Sequence, residues 1–145
     1  LFNMSALKEI GYYDENIFLY YEENDLYLRS LKKNYKIYLI EDVKIKHTGN
    51  RSTDLIKKEE IEINRNWHLM WSTFYFHKKH YGLLTAYNKT LLKLISASLK
   101  YLIFSIIRDD FDKKIYYARM SGIYNAMIGN NSWFRTNLDK VIDKQ

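Results

Sequence analysis

The chain has 145 residues, 47% of them hydrophobic and 28% charged, which places it among globular proteins and apart from disordered ones. It has no cysteine, excluding a disulfide framework, a thiolate zinc site and a cysteine nucleophile, and no proline, arguing against two modules joined by a Pro-rich linker. The formal charge of +6 suits anionic partners, but the excess is spread over Lys-rich helices. With only five glycines, long helices with few sharp turns are expected. Leu1-Phe2-Asn3 reads like the inside of a strand or loop, and no secretory signal pattern is visible, so the chain is expected to be a piece of a longer one.

In chain order, Ser5 to Ile10 reads as a short helix with Ser5 as N-cap and Gly11 in the C-terminal left-handed position. Tyr12 to Tyr21 is aromatic and irregular, with Asp14 as a cap or turn residue. Helical pattern follows from Glu22 to Lys33: acids lie in the first turn and lysines in the last, both suited to the helix dipole, and Asn34 ends it. Lys36 to Ile40 and Val43 to His47 alternate polar and apolar and predict two short strands. A polar loop leads to a helix from about Asp54 through the aromatic stretch Trp67–Tyr81, ending at Gly82. A strongly apolar helix is predicted over Leu83 to Ile107 and a last one over about Phe111 to Met127. The fold class expected is helix-rich α+β, with one part at 1–53 and a helical region at 54–145.

The chemically informative stretch is Phe18-Leu19-Tyr20-Tyr21-Glu22-Glu23-Asn24-Asp25-Leu26 with Arg29. Glu22, Asp25 and Arg29 share one helix face, so Arg29 can pair with Asp25, while Glu23 points elsewhere. A carboxylate at a helix mouth can accept a proton or hold a metal, given a partner, and His47 at the end of the second predicted strand is one candidate. The plainer alternative is that these acids are dipole-favoured solvent residues and His47 a surface histidine.

The motif order Ser5-Ala6-Leu7-Lys8-Glu9-Ile10-Gly11, Tyr13-Asp14-Glu15, Phe18 to Leu26, Asn34-Tyr35-Lys36-Ile37, His47-Thr48-Gly49 and Phe76 to Gly82 resembles the second half of bacterial family-2 glycosyltransferases. The likeness is to the rhamnosyltransferase-like and galactofuranosyltransferase-like members, and it covers roughly Leu1 to Gly82. It implies the acceptor-side half of a GT-A fold and an inverting transfer from a nucleotide-sugar donor to a lipid-linked or polysaccharide acceptor for cell-surface polysaccharide. The family's general base falls on Glu23, where the family has Asp. The reference pKa values differ by only about 0.4 unit. The extra methylene shifts the carboxylate by about one C–C bond, and in-line displacement is sensitive to about 1 Å. The resemblance further implies that Glu22 and Asp25 complete the catalytic acidic set, Glu22 supporting the base or binding the acceptor and Asp25 pairing with Arg29 to fix the helix, and that Tyr20, Tyr21 and Arg29 are candidates for substrate binding. It gives His47 the place of a contact to Mn²⁺ or Mg²⁺. The family's Asp-x-Asp motif should precede this segment; the one look-alike, Asp110-Phe111-Asp112, stands on the wrong side of the acceptor motif.

Thr90 to Ile107 is near the lower length for a bilayer span but carries Lys93 and Lys100. An interfacial helix with snorkelling lysines is expected in preference to a spanning one, and packing against the Trp67–Tyr81 helix is compatible with it. The location expected is cytoplasmic and peripheral at the inner face of the plasma membrane. A competing reading is a helical membrane-surface module with no catalysis. Nucleic acid is not an expected partner, because the aromatics lie at helical core spacing and are not interleaved with clustered Arg and Lys.

Overall fold

The computed structural model describes residues 3–38, 41, 44 and 55–135. Five helices follow one another: α1 (Met4–Ile10), α2 (Glu22–Lys32), α3 (Leu55–Tyr81), α4 (Leu83–Ile106) and α5 (Asp110–Met127). There is no strand among the described residues, which corrects the α+β expectation to an all-helical architecture. Lys36, Ile37 and Tyr38 run outside any helix or ladder, and the apolar pair is left 53% and 75% exposed. Polar–apolar alternation stabilises a strand only where a neighbour covers its apolar side, and a two-stranded hairpin by itself is marginal. Of the second predicted strand, only Lys44 is described, and it too is not in a strand; His47 lies outside the described residues.

The five helices match the expected ones within a residue or two, and local chemistry explains their ends. The first cap is Asn3 rather than Ser5: the Asn3 carboxamide oxygen accepts from the backbone N–H groups of Ser5 and Ala6 at 3.0 and 3.2 Å. Gly82, at φ +87°, turns the chain between α3 and α4 within one residue. Arg108, also left-handed, and the Asp109 cap, which accepts from the Asp112 N–H, turn the chain from α4 into α5.

Helices α3, α4 and α5 pack on one another as a three-helix unit. Bulk comes from α3, whose Trp67, Met70, Trp71 and Phe74 are all at most 3% exposed. Smallness comes from the others: Ala86, Thr90 and Ala97 on α4, and Ala118, Gly122 and Ala126 on α5 at four-residue spacing. A Cβ on Gly122 would stand 2.3 Å from the Trp67 carbonyl oxygen, so the α3–α5 approach requires glycine there. The segment after α5 folds back: Trp133 and Phe134 pack on Trp67, and the Trp71 indole donates to the Asn130 carbonyl at 2.9 Å.

Helix α2 and the loop before it lie along a different stripe of α3, and α1 packs on α2. The stripe is His68, Ser72, Tyr75, Phe76, Lys79 and His80, spaced as one helical face. Ser72 donates to the Leu19 carbonyl at 2.8 Å, and Phe18 packs on the His68 ring with the Arg135 guanidinium 3.5 Å from its own ring centroid. Tyr21 packs on Phe76 at 4.8 Å.

Candidate functional site

The first turn of α2 projects its acids in different directions, because residues two apart on a helix differ by about 200°. Asp25 turns towards α3 and is 0% exposed. Its Oδ2 accepts from Arg29 Nε at 2.8 Å, and its Oδ1 from His80 Nε2 at 2.7 Å and Lys79 Nζ at 2.6 Å. Lys79 also reaches Asp14 Oδ2 at 2.7 Å, and the Tyr75 hydroxyl donates to the same oxygen at 2.9 Å. Two carboxylates, one lysine and one arginine thus balance in charge within a mostly buried network. Burial pushes both carboxyls up, but the opposing hydrogen bonds, led by Lys79, win: Asp14 is held at about 2 and Asp25 below its ordinary value. Both are ionised at neutral pH, and the Asp25 oxygens are committed to partners inside the protein.

Arg29 is equally committed. Beyond Asp25, its Nη1 donates to the carbonyls of Ile10 and Gly11, each at 2.9 Å, and its Nη2 to that of Tyr12 at 2.6 Å. These are the carbonyls at and just past the C-terminus of α1, where a cation also favours the helix dipole. The guanidinium therefore fixes α1 against α2. On the other side of the pair, the Tyr35 hydroxyl donates to Glu9 Oε2 at 2.5 Å and the Lys33 ammonium to the Glu9 carbonyl.

Glu23 faces the opposite way. It is solvent-exposed and stands on the wall of a cleft of about 660 Å³ between α1, α2 and the segment after α2. Leu7, Tyr13, Tyr27, Tyr35 and Tyr38 line the same cleft, so an ionisable carboxylate meets a rim of tyrosine rings and hydroxyls. Such a mixture of apolar ring faces and hydrogen-bonding groups suits a polyhydroxylated ligand, whose C–H faces and hydroxyls it can meet together. Glu22 lies beside it, and its Oε2 is buried and accepts from no described residue. Just before the helix, Tyr20 and Tyr21 both hold left-handed backbone, at φ 66° and 68°. That conformation costs non-glycine residues on the order of 1–3 kcal/mol each and persists only where the surroundings enforce it. Here the enforcing groups are Tyr21 packed on Phe76, and the Leu19 carbonyl held by Ser72.

The structure therefore separates the sequence-predicted site residues. Glu23 is at the cleft, while Asp25 and Arg29 form the frame behind it. The Tyr21 ring packs into that frame at Phe76 and His77, away from the walls of the cleft. His47 lies outside the described residues, and among those residues no three metal-ligating side chains group together. Sequence reasoning missed Lys79, His80 and Tyr75 as the partners of Asp25 and Asp14. Their signal was present as polar side chains at i, i+4 and i+5 on an otherwise aromatic helix. The cleft tyrosines were also missed, because Tyr13, Tyr27 and Tyr35 sit on three different segments.

A second cavity, of about 410 Å³, opens between α3 and α5 over Trp67 and Phe134, away from the acids of α2. Among the described residues no helix is long and apolar enough to cross a membrane. In comparisons with protein-family models, with curated proteins and with solved structures, nothing matches this chain.

Proposed function

We propose that this chain supplies the acceptor side of an inverting family-2 glycosyltransferase, moving a sugar from a nucleotide-sugar donor to a lipid-linked or polysaccharide acceptor. The observation that carries the reading is the exposed Glu23 carboxylate on the wall of a tyrosine-lined cleft, with its neighbour Asp25 tied away into the scaffold. In this mechanism an acceptor sugar lies on the tyrosine rim. Glu23 takes the proton from its attacking hydroxyl as that oxygen bonds to the donor's anomeric carbon. The bond from that carbon to the nucleoside diphosphate breaks on the opposite face, giving inversion. Asp25 and Arg29 serve as positioning residues that hold the start of α2, and with it Glu23, against α1 and α3. Tyr20 sets the backbone approach to that turn. The motif resemblance assigns His47 to a divalent ion (Mn²⁺ or Mg²⁺), which when bound would neutralise charge on the departing diphosphate. The same reading places the protein at the inner face of the plasma membrane as a peripheral protein.

The test is sugar transfer by protein that contains this chain, with Glu23→Gln as the variant. A general base contributes about 10²–10⁴-fold, so kcat should fall by that factor while acceptor KM moves only a few-fold. Transfer unchanged in Glu23→Gln sinks the assignment. A second reading, a helical membrane-surface module with no catalysis, is favoured by the apolar outer face of α4, where Leu84 and Leu92 are 75% and 76% exposed. Such a module would be indifferent to substitution of both Glu23 and His47.

A further inference from the structure

Helix α4 meets its neighbours through small side chains and turns its large ones outward. Ala86, Thr90 and Ala97 form the buried seam. On the opposite arc stand Leu84, Leu92, Ile95, Leu99, Leu102 and Ile106, all exposed, with Leu84, Leu92 and Ile106 at 75%, 76% and 81%. At 1.5 Å per residue this arc extends over roughly 33 Å. An apolar face of that length, interrupted by Asn88 between Leu84 and Leu92, is beyond the scattered surface leucines of an ordinary soluble domain.

The charges beside it are one-sided in sign. Over its 24 residues α4 has no Asp or Glu and three lysines, Lys89, Lys93 and Lys100. Wound at 100° per residue, the three fall within about 40° of one another, between the apolar arc and the seam with α5. Arg119 of α5 joins them: its charge and that of Lys89, added to burial, hold the Lys93 ammonium below its ordinary value. The Arg119 Nε is itself buried and has no acceptor among the described residues, and Lys100 lies over the Tyr116 ring at 5.2 Å. None of these four cations forms an ion pair with a described carboxylate. A row of mutually repelling cations beside an apolar face calls for a partner that is apolar and anionic together.

We propose that the outer face of α4 is the surface by which this protein docks on an anionic lipid bilayer. Its leucines and isoleucines enter the headgroup–acyl boundary, and Lys89, Lys93 and Lys100 meet lipid phosphates along one edge. A second copy of the chain fits less well. In a symmetric antiparallel pair across this face, the lysine row lies beside the partner's lysine row. In a parallel pair it meets the flank of Tyr87, Ser98 and Ser105, which has no charge. Neither arrangement pairs the row with a carboxylate of the partner's α4, which has none. The inference rests on the membrane-peripheral part of the reading above and is independent of sugar transfer.

The experiment is co-sedimentation of the full chain with vesicles of phosphatidylcholine alone and of phosphatidylcholine with phosphatidylglycerol, alongside sedimentation velocity without lipid. The chain should be monomeric and should bind the anionic vesicles. The variant L84Q/L92Q/I106Q, altered at well-exposed positions that keep the fold by circular dichroism, should lose that binding. Single Lys→Gln changes at 89, 93 and 100 should each weaken it about fivefold, and only on anionic vesicles. Undiminished binding by the triple variant would show that another surface docks, leaving the peripheral reading intact. A lipid-free dimer that the triple variant converts to monomer assigns the face to a second copy. No vesicle binding by the parent chain overturns both this inference and the peripheral location, without touching the role of Glu23.

Discussion

The two faces of α3 are held by different physics. Towards α4 and α5 it presents Trp67, Met70, Trp71 and Phe74 to a bed of alanine and glycine, and the contact is broad, apolar and redundant. Towards α2 and the loop before it, it presents Ser72, Tyr75, Lys79 and His80, and beside the ring packing of Phe18 on His68 and Tyr21 on Phe76 the contact is a short list of directional bonds. Of the buried hydrophobic side chains among the described residues, only Ile17 and Leu26 belong to the N-terminal part. A broad apolar contact loses energy in proportion to what is removed. A charge network fails when one member goes, because the rest are left buried and unpaired. The bundle should therefore be robust and the cleft-bearing half separately detachable.

The sharpest way to break that contrast is Trp67→Ala. Loss of a fully buried indole costs about 3–5 kcal/mol, and it should lower the midpoint of the whole helical transition followed by circular dichroism. Next comes Asp25→Ala, which leaves Arg29, Lys79 and His80 without their common acceptor, at a cost of about 3–4 kcal/mol. Here the loss should be local: amide protection falls in residues 3–38 and is retained in α3 to α5. Global unfolding by Asp25→Ala would show that the two halves are one cooperative unit.

Acid sharpens the comparison further, through His68. Burial, opposed by the Phe134 carbonyl and aided by the Arg135 charge, pushes this imidazole down to about 4. With its pKa at about 4 the ring is neutral at pH 7, and in that form its Nε2–H donates to the Phe134 carbonyl and its Nδ1 accepts from the Ser132 hydroxyl, each at 2.8 Å. A histidine whose folded pKa is depressed adds stability above its unfolded value near 6.5 and loses it as pH falls towards 4. Up to about 3 kcal/mol should disappear across that window, read as a falling urea midpoint. The Asp14 contribution has the same sign at lower pH: it is present above the ordinary carboxylate value and lost as pH falls from there to about 2. A urea midpoint flat between pH 6.5 and 4 would mean that His68 is not buried in this way.

Much of this architecture was legible in the sequence, for reasons tied to particular residues. The bundle helices announce themselves by long 3.6-residue periodicity, and the break between α3 and α4 by Gly82; the Asp109 cap of α5 was not read from the sequence. The Asp25–Arg29 pair followed from i, i+4 spacing alone. The Lys36–Ile40 strand did not survive in its described part because a period of two says nothing of whether a neighbour exists to cover Ile37 and Tyr38. Asn3 displaced Ser5 as cap because either residue type can accept from the first helical N–H groups, and the chain direction at Met4 decides between them. At the candidate site, Glu23 was visible in the motif. The dispersal of Asp25 and Arg29 into a frame required the tertiary partners Lys79 and His80, some 55 residues away in the chain. Such pairings leave no local periodicity to read.

The guanidinium of Arg29 spans the C-terminus of α1 and the body of α2, reaching three successive carbonyls and one carboxylate. Gly11 leaves room for it: at φ +91°, a Cβ there would come within 3.1 Å of Nη1. The separation of α1 and α2, and so the aperture of the cleft they form, is set by a rigid planar spacer. A ligand entering between Tyr27 and Leu7 meets walls already at their final distance, and little conformational entropy remains to be lost on binding. Lysine in place of Arg29 would keep the charge and give up the gauge.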